Sequence, residues 1–246
     1  MRRRFRQRGF GGWAAIDVLS IAIMSFSGAP SMRASGPGTD LVVMLDMGMD
    51  ATQRGAYNLP SQNIINSLAG GARVAAMELR PDDRVSLVTF SEKAKIVLPM
   101  TADTGKFESA LRRAGEWVVQ NPQRRLFDSL LTAIDSFQEA PRPGIRRCVL
   151  VLTTMSDSGS RHSADEVVDA ARSKSVTIFV ALISAQRSPG RGMGPVGQPS
   201  PRGLLADEDE EKRMLAPVAK RAGGDVRVYS QSPYVTARAI DEMINQ

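Results

Sequence analysis

Three short polar segments carry the side chains of this chain that could do chemistry. They are separated in sequence, and each borders an apolar run. Carboxylate and hydroxyl oxygens are ligands for Mg²⁺, whereas a guanidinium pairs with a carboxylate through parallel hydrogen bonds. The residue types therefore allow a cation site or an ion-paired cluster, provided that the fold brings the segments together. The candidate residues are Asp46, Gly48, Asp50, Arg124, Arg125, Thr154 and Asp157.

The elements that must position these residues alternate along the chain. Strands are predicted at 40–45, 84–90, 94–98, 147–153, 176–183 and 226–229. Helices are predicted at 64–79, 107–114, 126–137, 163–171 and 214–222 and at the end of the chain. Continuous apolar strands between amphipathic helices indicate an α/β fold, with a doubly wound, mostly parallel central sheet flanked by helices and the strand at 94–98 as an antiparallel edge. Ligands of such sheets bind beyond the carboxyl ends of the strands, which is where the polar segments fall.

Local signals refine this picture. Ser163 and Glu166 form a capping box before one helix. The Pro- and Gly-rich segment 188–203 lacks periodicity and is predicted to be a mobile loop. The acidic run 207–211 is interpreted as the start of a helix, and Pro217 must either kink that helix or lie near its start.

Composition limits the chain to one large domain and argues against nucleic acid as a partner. The length is 246 residues and the apolar fraction 42%. Of the net charge of +6, all but +1 lies in residues 1–38. Aromatic residues make up only 5%, so the folded part lacks the basic, aromatic-rich surface that nucleic-acid binding requires. Cys148 is the only cysteine, which excludes an internal disulfide and a Cys-based zinc site. His162 is the only histidine, which argues against a His-dependent catalytic triad.

Residues 1–38 resemble a targeting segment. Arginines come first, an apolar stretch interrupted by Asp17 follows, and small residues end the segment. We expect an export signal, cleaved or kept as an anchor, that contacts the membrane during export. The protein would then be extracytoplasmic, that is, secreted, periplasmic or membrane-anchored. A disordered arginine-rich tail on a cytoplasmic protein would have a similar sequence and remains the alternative.

Five blocks of the sequence, in this order and spacing, resemble the landmarks of von Willebrand factor A domains. They are residues 41–50, 79–91, 126–130, 149–154 and 215–224. The resemblance covers about residues 40–245, so the domain is assigned to 39–246. It is similar to the A domains of predicted exported bacterial proteins. What it implies is a non-enzymatic module that binds another protein.

The resemblance also implies a metal-ion-dependent adhesion site, and this sequence departs from its pattern. In the family, a D-x-S-x-S loop, a threonine and a distal aspartate hold Mg²⁺. Asp46 keeps the first acid, but the serine positions hold Gly48 and Asp50, the threonine position holds Arg124 and the distal aspartate position holds Thr154. Asp46, Asp50 and the Thr154 hydroxyl could bind Mg²⁺ only weakly. The site is therefore predicted to be degenerate.

Two interpretations of the arginines stay open at this point. Arg124 or Arg125 could take the place of the cation and pair with Asp46 or Asp50. Alternatively, Asp46 only caps the following turn and both arginines are solvated. In either case we expect an unidentified protein to bind the rim formed by 46–53, 121–125 and 154–162, which includes Asp157. No catalytic residue is predicted.

An enzyme of the haloacid dehalogenase type is the alternative from another class. Such phosphotransferases place an aspartate after the first strand and a threonine after a later one, as Asp46 and Thr154 are placed. They also need a general acid two residues after the nucleophile, where this chain has Gly48. A dinucleotide-binding fold is excluded more strongly, because no G-x-G-x-x-G motif follows the first strand.

Overall fold

The computed structural model describes residues 38–48, 72, 79–114, 123–154, 157–183 and 202–229. Within these ranges the chain forms six strands and four longer helices. The strands are β1 (Gly38–Asp46), β2 (Arg84–Phe90), β3 (Ala94–Thr101), β4 (Ile145–Thr153), β5 (Val176–Ile183) and β6 (Val226–Tyr229). The helices are α1 (Thr104–Ala114), α2 (Leu126–Asp135), α3 (Ala164–Ser173) and α4 (Arg202–Arg221).

The strands form one sheet in the order β3-β2-β1-β4-β5-β6. Every neighbouring pair is parallel except β2 and β3, which are antiparallel. The sheet grows from β1 in both directions: β2 and β3 lie on one side of it, and β4, β5 and β6 lie on the other. The predicted fold class, including the antiparallel edge strand, is therefore confirmed.

Alternation along the strands divides the core between two faces of the sheet. In β1, Leu41, Val43 and Leu45 pack on one face, and Val42 and Met44 on the other. Helix α1 covers the first face, whereas α2, α3 and α4 cover the second. All five of these β1 side chains are fully buried, as expected for a central strand with helices on both faces.

Most predicted boundaries lie within a few residues of the observed ones. Strand β3 continues to Thr101, beyond the predicted 94–98, because its pairing with β2 extends to Val85. The capping box of Ser163 and Glu166 is present at the start of α3. Cys148 is buried in the core, and burial raises the pKa of its thiol to about 11.

Helix α4 corrects two expectations. It begins at Arg202, so the run 207–211 lies inside the helix rather than at its start, and the end of the predicted loop 188–203 is helical. Pro217 is also inside α4, away from its first turn. The predicted leader, most of the predicted helix 64–79, the rest of that loop and the last helix lie outside the described residues. None of the helices described is both long and apolar enough to cross a bilayer.

Candidate functional site

The strand register brings two of the polar segments together at the carboxyl edge of the sheet. Leu45 of β1 is level with Leu152 of β4, so that the next residues, Asp46 and Thr153, end the two strands side by side. On the other side, Asp46 is level with Phe90, the last residue of β2. The edge formed by these strand ends is the position at which ligands of doubly wound sheets bind.

A buried ion pair occupies this edge. The Arg124 Nε atom lies 2.9 Å from Asp46 Oδ2 and 3.2 Å from Asp46 Oδ1. Both residues are 2% exposed. The pairing of Arg124 with Asp46, one of the two interpretations left open by the sequence, is therefore the one observed, and Arg124 is not solvated.

Two further donors complete the surroundings of the Asp46 carboxylate. The Thr153 hydroxyl donates to Oδ2 over 2.9 Å, and the Gly48 amide donates to Oδ1 over 2.8 Å. The resemblance to the family's motif pointed instead to Thr154, the half-buried residue after Thr153. Thr153 was missed, although its place at the end of a strand beside β1 could have indicated it.

Gly48 permits the close approach of the arginine. A Cβ atom at this position would lie 3.0 Å from Arg124 Nε, 3.2 Å from Arg124 Cζ and 3.2 Å from Asp46 Oδ1. The Arg124 guanidinium also donates through NH2 to the Gly48 carbonyl over 2.5 Å. A serine at this position would therefore crowd the guanidinium.

The backbone of Arg124 is anchored to the segment that follows β4. Its amide donates to the Ser158 hydroxyl over 2.8 Å, and its carbonyl accepts from the Ser158 amide over 2.9 Å. The Arg125 amide donates to the Ser91 carbonyl, just after β2, over 2.9 Å. These bonds fix the loop that carries Arg124, so its side chain enters the site from a held backbone.

Asp157 caps helix α2 from a different segment. Its Oδ1 accepts from the amides of Leu126 and Phe127 over 2.8 and 3.3 Å, and its Oδ2 accepts from the Ser160 amide over 3.1 Å. The residue at the N-cap position, Arg125, makes no capping bond with its own side chain. The carboxylate thus satisfies orphan amides of a helix N-terminus.

Asp128 makes the reciprocal connection. Its Oδ1 accepts from the amides of Arg161 and His162 over 3.0 and 3.1 Å and lies 2.8 Å from His162 Nδ1. Burial raises the pKa of Asp128, but these bonds from His162 and Arg161 lower it by more, so the net shift is downward. Residues 123–128 and 157–162 are therefore held together as one surface.

The remaining predicted site residues are Arg125 and Asp50. Arg125 is 24% exposed, and its NH2 lies 4.0 Å from Glu92 Oε1, at the limit of an ion pair. Asp50 lies outside the described residues, as does most of the segment 46–53. The structure therefore brings together Asp46, Gly48 and Arg124, with Thr154 next to the bonded Thr153 in the chain and Asp157 capping the helix that follows Arg124.

The chain belongs to the von Willebrand factor type A domain family, whose sequence model matches residues 40–193. Domains of this family typically mediate interactions between proteins and are generally not enzymes. The match agrees with the fold and with the resemblance found in the sequence. No curated protein matches the chain significantly.

Solved structures share the fold at low identity. An aerotolerance-related membrane protein from Bacteroides fragilis is 15% identical with a TM-score of 0.58, and the match covers 85% of this chain and 99% of that one. BatB from Bacteroides thetaiotaomicron is 18% identical with a TM-score of 0.52, covering 85% and 100%. Proximal thread matrix protein 1 from the mussel byssus, with a zinc-occupied adhesion motif, is 13% identical with a TM-score of 0.55, covering 85% and 46%.

The phosphotransferase alternative is not supported. The family match identifies a different class of protein. The environment of Asp46 also argues against a nucleophile, because its oxygens accept bonds from Arg124, Thr153 and Gly48 in a buried position. No general acid accompanies it at Gly48.

Proposed function

We propose that this chain binds another protein through the rim at the carboxyl edge of its sheet, and that Arg124 replaces the metal ion of the family's adhesion site. The observation that carries this proposal is the buried pair between Arg124 and Asp46. An arginine side chain fills the place next to the first acid of the motif, where relatives with an intact motif hold a cation.

The described donor set does not fit Mg²⁺. The ion needs about six oxygen ligands at ~2.0–2.1 Å in octahedral geometry. Gly48 has no side chain to donate, and a guanidinium beside Asp46 would repel a second cation. Among the residues that the structure describes, no group of three or more His, Cys, Asp or Glu side chains could hold a metal. The weak Mg²⁺ site considered from Asp46, Asp50 and Thr154 is therefore the less favoured proposal.

Loss of the ion changes how a partner is recognised. In the family's site the partner supplies a carboxylate to the metal, but Arg124 is too deeply buried to be reached in the same way. Ser158, Arg161 and His162 are exposed on the adjoining surface, and Arg125 is partly exposed. We infer that the partner is bound through these side chains and that binding does not require a divalent cation.

An extracytoplasmic location is part of the same proposal. The arginine-rich and apolar segment 1–38 supports it, and so does the shared fold of the aerotolerance-related membrane protein from Bacteroides fragilis. Mass spectrometry of the mature N-terminus in cell fractions tests this location. Recovery of the full-length chain in the cytoplasm would contradict it.

Metal independence is tested by thermal unfolding in increasing Mg²⁺ or Mn²⁺. A ligand that binds only the native state raises its stability by about 2.7 kcal/mol at a hundredfold excess over Kd. We expect no saturable rise for the native chain. The triple variant Gly48→Ser, Arg124→Thr, Thr154→Asp restores three of the four lost family ligands, with Asp50 kept as an oxygen ligand at the second serine position, and should gain ~5–10 °C with Mg²⁺. The single variant Arg124→Thr is the matched control, and a saturable rise in the native chain would refute the replacement.

Partner binding is tested by cross-linking capture with the full chain in Mg²⁺ or in EDTA. The same partner should be captured in both conditions. The charge reversals Arg125→Glu and Arg161→Glu should remove it, whereas Arg112→Glu, an exposed position on α1, should not. Capture that survives both rim reversals would contradict the assignment of the rim as the binding surface.

A further inference from the structure

A cavity lies at the opposite end of the sheet from the rim. Its volume is about 310 Å³, within the range of small-molecule sites. It opens beside the first residue of β2, the last part of β3 and the segment after α2. The residues of its wall that matter here are Arg84, Ile96, Met100, Phe137, Glu139 and Arg147.

Arg147 is a buried cation without a counter-ion. It is 5% exposed, and no carboxylate in the part of the chain that the structure describes lies within ion-pair distance of it. Its NH2 donates to the Glu139 carbonyl, its NH1 reaches the Lys174 carbonyl only at 3.5 Å, and its Nε has no partner. A guanidinium has five N–H donors, so most of its capacity is unused. A buried charge left in this way is costly unless an anion approaches it.

The neighbouring charges leave a positive surplus in the cavity wall. Buried Asp40 accepts two bonds of 2.9 Å from Arg84 and one of 2.5 Å from Arg142. The remaining Arg84 nitrogen, NH1, donates to Glu139 Oε2 over 2.8 Å. Glu139 is 68% exposed, so this ion pair contributes little to stability and its carboxylate is easily displaced.

The rest of the wall is apolar. The Phe137 ring packs against Arg147, whose Cζ lies 5.3 Å from the ring centroid. Ile96 is 39% exposed and Met100 is partly buried beside the same opening. An apolar ligand body in contact with these side chains would remove exposed hydrophobic surface from water. The cavity therefore combines an unsatisfied cation with a hydrophobic surface.

We propose that this cavity, with its volume of about 310 Å³, binds a small carboxylate that carries an apolar body. The carboxylate replaces Glu139 on Arg84 and supplies the counter-charge that Arg147 lacks. The apolar body contacts Ile96, Met100 and Phe137. This site is separate from the rim, and its binding needs no partner protein.

The test is calorimetric titration of the full chain with 3-phenylpropanoate and with its neutral amide, 3-phenylpropanamide. The two probes have the same shape and differ in charge. A hydrogen bond to a charged group is stronger than one to a neutral group, and the difference corresponds to about tenfold or more in affinity. We expect the carboxylate to bind at least tenfold more tightly than the amide. Equal affinities, or no saturable binding of either probe at millimolar concentration, would overturn the proposal.

Three variants separate the cavity from binding elsewhere. Glu139→Gln removes the competing charge at an exposed position and should tighten carboxylate binding several-fold. Ile96→Ser should weaken both probes, and Arg147→Met should reduce the preference for the carboxylate several-fold, with Arg84 left as its partner. If Arg147→Met does not fold, the first two variants decide the outcome. Carboxylate binding that is unaltered by both Glu139→Gln and Ile96→Ser would also refute the site.

Discussion

Replacement of Arg124 by methionine is the most direct test of the buried ion pair. Methionine keeps much of the length of the side chain but removes the donors to Asp46 and to the Gly48 carbonyl. Asp46 then stays buried with only Thr153 and the Gly48 amide as donors. Removing one partner of a buried pair typically costs about 3–5 kcal/mol, because the other charge is left uncompensated.

Unfolding in urea, followed by circular dichroism, measures this cost. For a domain of this size, ~3–5 kcal/mol corresponds to a fall in Tm of about 6–20 °C. Asp46→Asn alone should also destabilise, because it leaves the Arg124 charge buried. The double variant should be less destabilised than the sum of the two, with a coupling energy of about 1–3 kcal/mol. A loss below about 1 kcal/mol for Arg124→Met, or additive losses, would refute the pair as a structural substitute for the ion.

Three further predictions concern the surroundings of the site and the amino end of the sheet. Gly48→Ser should lower the free energy of unfolding by about 1–3 kcal/mol in the native background, because its Cβ meets the guanidinium. The same substitution should cost less in the Arg124→Thr background, and urea titrations in the two backgrounds measure the difference. Asp157→Ala should cost about 1–2 kcal/mol because it removes the cap of α2, and Asp157→Asn should retain part of that cap. Burial raises the pKa of Asp40, but bonds from Arg84 and Arg142 lower it by more. Stability from Asp40 is therefore present above the unfolded pKa of about 4 and lost as the pH falls through the lower folded value, so Asp40→Asn should flatten the acid limb of a stability–pH curve.

The fold could be predicted because its signals are local and repeated. Strands 84–90, 176–183 and 226–229 have the boundaries read from their apolar runs, since strands buried on both faces must be apolar throughout. The Ser163 capping box involves residues three apart, so sequence alone suffices for it. Helix α4 was placed less well. Its first turns include a glycine and an acidic run without clear amphipathic periodicity, so the pattern indicated only its apolar second half.

The site depended on contacts between distant residues. The sequence by itself determined that an acid, an arginine pair and a threonine-rich strand end would meet at one edge, because parallel strands in a wound sheet end together. It left open whether Arg124 or Arg125 faces the acid. Tertiary structure decided for Arg124, whose backbone is fixed by Ser158. Only the tertiary structure also showed that Thr153 bonds Asp46 and that Arg147 is buried without a carboxylate partner among the described residues. Side-chain direction and charge balance depend on which segments pack together, and neither follows from the order of residues along the chain.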